Sequence, residues 1–121
     1  MTIQRIIEIV CSDEDYQLPI ECIQWNLRRR EIVYPRQMCH YFAWEHTRNI
    51  SLERIGEKIG NKDHSTVLHS MKTVINLMET DPQYKKRFLR ISKRIKDEIL
   101  RDRMPKLTMK SYQERKLIFA V

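Results

Sequence analysis

The sequence predicts an all-α bundle of about six helices, and three observations carry that prediction. Only two Gly and four Pro occur in 121 residues, too few turn formers for a sandwich or a barrel. Apolar residues recur at three- and four-residue spacing along most of the chain rather than in alternation. Capping residues and prolines stand where those periodic runs begin. The length suits one domain, read as residues 1–104, followed by a separate tail, residues 105–121.

The first helix, residues 2–11, places Ile3, Ile6, Ile7 and Val10 on one face. "SDEDYQLP" is an acidic loop. "PIECIQWN" reads as a short helix with Pro19 at its first position, where a missing N–H costs nothing. "LRRREIVY" reads as irregular, because Pro35 pushes Tyr34 toward extended geometry. Pro35 then opens "PRQMCHYFAWEHT", with Met38, Tyr41 and Phe42 facing inward. Ser51 caps "LERIGEKIG", and Gly60 ends it by accepting the left-handed conformation a helix terminus needs. After the turn "GNK", Val67, Leu68, Met71, Val74, Ile75 and Met78 form a continuous stripe that should face the core. Asp81 and Pro82 start a long last helix whose buried stripe is Tyr84, Phe88, Ile91, Ile95 and Ile99, and Pro105 closes it.

Several function classes recede at this level. No apolar run approaches the ~20 residues of a membrane span, and the N-terminus lacks the basic start and cleavage site of a secretory signal. Three scattered cysteines, Cys11, Cys22 and Cys39, argue against a disulfide framework and for a reducing, cytoplasmic setting. His40 and His46 lie six residues apart, and His64 and His69 five. Neither gap is the i, i+4 pair of a zinc helix, so no metal or other cofactor is expected. No catalytic triad or carboxylate pair is visible, so the chain reads as a binding protein rather than an enzyme.

Charge points the other way, toward a polyanion. The net charge is +7, and it is unevenly placed. Residues 1–27 hold one Arg against five acids, whereas "LRRREIVYPR" and the last third are strongly basic. Residues 82–104 alone carry nine Lys or Arg, read mainly as a solvated face held by i, i+4 pairs. A basic surface of this kind suits nucleic acid.

The sharpest feature is the start of the helix after Gly60. Asp63, His64, Ser65 and Thr66 crowd four hydrogen-bonding side chains onto one turn. Asp63 is a good N-cap, and such starts occur in proteins that bind nothing. Two short helices joined by "GNKD" also have the spacing of a helix-turn-helix, whose second helix presents its N-terminal residues to base edges in the major groove. There Asp accepts from a cytosine amino group, Ser and Thr donate or accept, and a Thr methyl or an imidazole packs on a thymine methyl.

The chain also resembles a known family. Pro35-Arg36-Gln37, Ser51-Leu52 through Ile55-Gly56, and Asp63-His64-Ser65-Thr66-Val67 with His69 match, in order, the signature of the C-terminal DNA-binding domain (domain IV) of the bacterial replication initiator DnaA. The likeness covers about residues 25–95 and implies the Trp repressor-like helix-turn-helix fold of that domain. It implies that Asp63, His64, Ser65 and Thr66 read bases of the DnaA box in the major groove. It implies that Arg28, or in another register Arg29 or Arg30, enters the adjacent minor groove. It implies that Arg36 and Gln37 hold phosphates, and Lys62 on the turn is a further phosphate candidate. The partner is then double-stranded DNA, not a membrane, and the role lies in replication initiation or its control. The apolar end of the tail, "KLIFAV", is a candidate contact for a protein partner or a second copy.

The sequence departs from the family in places. No G-x-x-x-x-G-K-[ST] phosphate loop occurs in the 121 residues, and Trp44 stands where the family often has Lys. The alternative reading is therefore an interaction module or transcriptional regulator that keeps the DnaA-like fold without DnaA-box specificity.

Overall fold

A computed structural model describes residues 1–103, and Pro105, expected to close the last helix, and the tail lie outside the described residues. Among the described residues five α-helices are formed: α1 (Ile3–Cys11), α2 (Arg30–His46), α3 (Leu52–Lys58), α4 (His64–Thr80) and α5 (Pro82–Arg103). A single 3-10 turn, Ile20–Gln24, stands where a sixth helix was expected. Pro19 is its cap rather than its first residue. The all-α class holds among the described residues, with about one helix fewer than predicted.

Helix starts follow the capping chemistry. Thr2 accepts from Arg5 N–H, Ser51 from Arg54 N–H and Asp63 from Thr66 N–H, each satisfying a first-turn donor that has no partner within the helix. Asp81 accepts from Gln83 N–H and Tyr84 N–H at the start of α5.

Helix α2 departs most from expectation. It begins at Arg30, so Pro35 lies inside it and Tyr34 is helical. The missing Pro35 N–H removes one ladder bond. Packing offsets that loss: Ile32 and Pro35 are buried, and the Tyr34 ring meets Tyr84 edge-on with centroids 5.6 Å apart. Helix α2 is the central element and packs on α1, α3, α4 and the 3-10 turn. Its Phe42 stacks on Phe88 of α5 at 4.8 Å.

The core gathers Ile6, Ile7, Ile9, Val10, Met38, Phe42, Ile55, Ile59, Val67, Val74, Tyr84, Ile91 and Ile95. The stripe on α4 is narrower than predicted. Val67 and Val74 are buried with Ser70 between them, Met71 and Met78 are half-buried, and Leu68 and Ile75 are exposed. Ile99 is likewise only half-buried on α5.

The basic face of α5 is also held differently from the expected i, i+4 pairs. Arg90 binds Asp13 through Nε and an Nη at 2.8 and 2.7 Å. Arg87 reaches Asp15 at 3.1 Å, and Arg5 of α1 reaches Glu98 at 2.7 Å. The acidic loop after α1 is thus the counter-charge of α5, which fixes that helix against the N-terminal one.

Candidate nucleic-acid interface

Helices α3 and α4 are joined by a turn that needs its glycines. The Lys62 N–H donates to Gly56 O at 2.8 Å, so the turn folds back onto α3. A Cβ built on Gly56 would lie 2.0 Å from Lys62 O, and only glycine leaves that space. Gly60 and Asn61 then take φ of +81° and 50°, turning the chain sharply into α4.

This turn presents Asp63, His64, Ser65 and Thr66 together, all exposed, at the leading end of α4. Asp63 Oδ1 accepts from Thr66 N–H at 2.9 Å. That bond holds the Asp63 carboxyl below its usual range, so it is a carboxylate at neutral pH. Cap and polar tip are therefore one construction: the residue that starts the helix also belongs to the exposed cluster. His69, further along, is exposed and within 3.4 Å of Thr73 Oγ1. It is a surface residue.

The basic loop lies against the same turn. Gln24 clamps it with both ends of its amide, Nε2 donating to Lys58 O at 2.9 Å and Oε1 accepting from Gly60 N–H at 2.8 Å. Lys62 Nζ donates to Asn26 Oδ1 at 3.1 Å. Arg28 and Arg29 follow, exposed, just before α2. Arg30, also exposed, is on the first turn of α2 with its guanidinium 5.6 Å from the Tyr34 ring centre, in a cleft shared with Asp15 and Asp81.

Arg36 departs from its expected place on a first turn. It lies one turn further into α2, and it is buried. Its Nε donates to Ile23 O at 2.9 Å, one Nη to Leu27 O at 3.4 Å, and the other Nη to Trp25 O. Three of the five N–H donors of its guanidinium are thus spent on backbone carbonyls. Its work is to hold the segment 23–27. Gln37 is half-buried, and its Oε1 has no hydrogen-bond partner among the described residues. Trp44 is exposed, its ring 6.2 Å from Tyr41. Among the described residues no cluster of three His, Cys, Asp or Glu could hold a metal ion, and no helix is long and apolar enough to cross a membrane.

The arrangement, a five-residue turn between a short helix and a polar-tipped one, coincides with a match along the chain. Residues 3–74 match the family described as bacterial dnaA protein helix-turn-helix. The chain belongs to this family. Relatives named chromosomal replication initiator protein DnaA agree with it. The one from Flavobacterium psychrophilum is 48% identical over 80 residues, 66% of this chain and 16% of that protein. The Bacteroides fragilis protein is 44% identical over 85 residues, 70% of this chain and 17% of that protein. A Nostoc relative is 37% identical over 95 residues, 78% of this chain and 20% of its own length. The chain thus spans about a fifth or less of the relatives it matches.

Two groups that build this site carry no signal in the sequence. Gln24 sits in a stretch readable only as a short helix, and His40 stands out only as one of a histidine pair spaced wrongly for a metal. Both act through partners 19 to 36 residues away in the chain.

Proposed function

We propose that the chain binds double-stranded DNA as a helix-turn-helix module and works at DnaA-box sites in replication initiation or its control. One observation carries the reading. Four polar side chains, Asp63 to Thr66, stand exposed together on the first turn of α4, in a chain that matches the DnaA helix-turn-helix. In this reading the tip of α4 enters the major groove and reads base edges. Arg28 enters the neighbouring minor groove. Arg30 would have to leave Tyr34 to join it, which makes Arg28 the stronger partner. Lys62 and the Gln37 amide face phosphates, and Arg36 supports them from inside. The module binds without catalysis or cofactor, in the cytoplasm. Residues 1–104 form the reading unit, and the tail from 105 holds a protein partner or a second copy.

Selection of bound sequences from a random duplex pool tests the proposal, with enrichment of a DnaA-box-like site as the expected result. On that site His64→Ala should cost ~1–3 kcal/mol of binding and little on random duplex. Equal losses on both duplexes would remove His64 from base reading.

A further inference from the structure

Six side-chain hydrogen bonds converge on residues 23–27, the short segment before Arg28. Arg36, buried in α2, holds the carbonyls of Ile23, Trp25 and Leu27. Gln24 bonds the last carbonyl of α3 and the N–H of Gly60. Asn26 takes Lys62. The Arg36 side chain also lies where a Cβ on Gly60 would come within 2.9 Å of its Cδ and Nε, so turn and segment press on the same guanidinium stem. Segment 23–27 is therefore fastened to α2 on one side and to the helix-turn-helix turn on the other.

We infer that Gln24 is a positioning residue for DNA recognition: its two amide bonds lock the arginine loop to the turn, so that Arg28 and the tip of α4 meet the duplex as one preorganised unit. The inference rests on the proposed DNA binding and adds a residue that touches no DNA in it. The physical basis is entropy. Arg28 follows an extended segment, Trp25 having φ −73° and ψ 141°, with no helix of its own to hold it. Left free, such a segment would be ordered only on binding, and that ordering would be taken out of the affinity. Gln24 suits the task because one planar amide supplies a donor and an acceptor. It meets a helix-end carbonyl and a turn N–H that would otherwise lack partners. Its own side chain remains exposed, so its loss leaves the core untouched.

The test measures binding of wild type, Gln24→Leu, Arg28→Ala and the double variant to the selected site and to random duplex over a series of salt concentrations. Leu keeps the bulk and removes both bonds. Gln24→Leu should weaken the specific complex about tenfold while random-duplex affinity and the salt slope stay as in wild type. In the Gln24→Leu background, Arg28→Ala should cost less than it does in wild type, because an arginine that must be ordered on binding contributes less net affinity. Asn26→Ala, at an exposed position, should act in the same direction and more weakly, which keeps the inference testable if Gln24→Leu fails to fold. Specific binding within twofold of wild type, equal losses on both duplexes, or strictly additive losses would overturn it. Absence of duplex binding by the wild type at low salt would instead overturn the DNA-binding reading itself, and the wild-type curve reveals that before any variant is compared.

Discussion

His40 of α2 and Ser70 of α4, thirty residues apart, share a 2.9 Å hydrogen bond inside the core. The other ring nitrogen of His40 lies 2.9 Å from Ile59 O, at the end of α3. A carbonyl only accepts, so Nε2 carries the proton, and Nδ1 accepts from the Ser70 hydroxyl. One neutral imidazole thus ties both helices of the helix-turn-helix to the central helix.

That bond pattern makes stability depend on pH. Burial pushes the His40 imidazole down to about 4, against an ordinary value of 6.5. Between those values the unfolded chain takes up a proton that the fold refuses. The contribution of His40 is therefore complete above pH 6.5 and is lost as pH falls toward 4, on the order of 3 kcal/mol in all. Burial lowers His46 too, in the same direction. Urea unfolding between pH 7 and 4 should lose stability steeply in wild type and less steeply in His40→Gln. Parallel curves would count against the assignment.

Gly56→Ala should disrupt the turn rather than the helix, although Ala is the better helix former. Its Cβ would sit 2.0 Å from the Lys62 carbonyl oxygen, a backbone atom that cannot swing aside. A cost of about 3 kcal/mol is expected, read as a lowered thermal midpoint. Ala at Glu57, exposed on the same helix, should change it little. Equal behaviour of the two would mean that the turn does not pack against Gly56 as described.

The Asp13–Arg90 pair is expected to matter more than its place near the surface suggests. The Asp13 side chain is 1% exposed and that of Arg90 29%. Arg90→Met strands a buried carboxylate, at about 2 kcal/mol once the partial exposure of the guanidinium is allowed for. Lys93→Met, exposed on the same helix, should stay within ~0.5 kcal/mol. Denaturant midpoints of the two variants check the contrast.

What the sequence reveals of this molecule follows the range of the interactions involved. The polar tip at residues 63–66, the Ser51 and Asp63 caps and the Gly60 stop are set by neighbours within a few residues, and they are legible. The start of α2 is not, because the rule for a residue before proline is local while the burial of Ile32 and the Tyr34–Tyr84 contact are tertiary. Periodicity marks Leu68 and Ile75 as apolar without saying how wide a strip α2, α3 and α5 cover. Ser70 enters the core instead, since His40 supplies its partner. The acidic loop and the basic helix are each plain in the sequence, whereas their pairing spans more than seventy residues.

Arg36 offers the clearest test of position against composition. The resemblance to the family assigns it to a phosphate, and then Arg36→Met should lower the slope of log K against log salt by about 0.9, as losing any phosphate contact does. The structure has its guanidinium on the carbonyls of Ile23, Trp25 and Leu27 instead. Arg36→Met should accordingly leave the slope of the folded protein unchanged. It should destabilise the fold by about 1–3 kcal/mol, because the buried Ile23 carbonyl and the part-buried carbonyls of Trp25 and Leu27 lose their donor. Arg28→Ala should do the reverse, reducing the slope by about one while the thermal midpoint hardly moves. Salt titrations and melting curves on the two variants decide between these outcomes. A reduced slope for Arg36→Met would return that residue to the DNA surface.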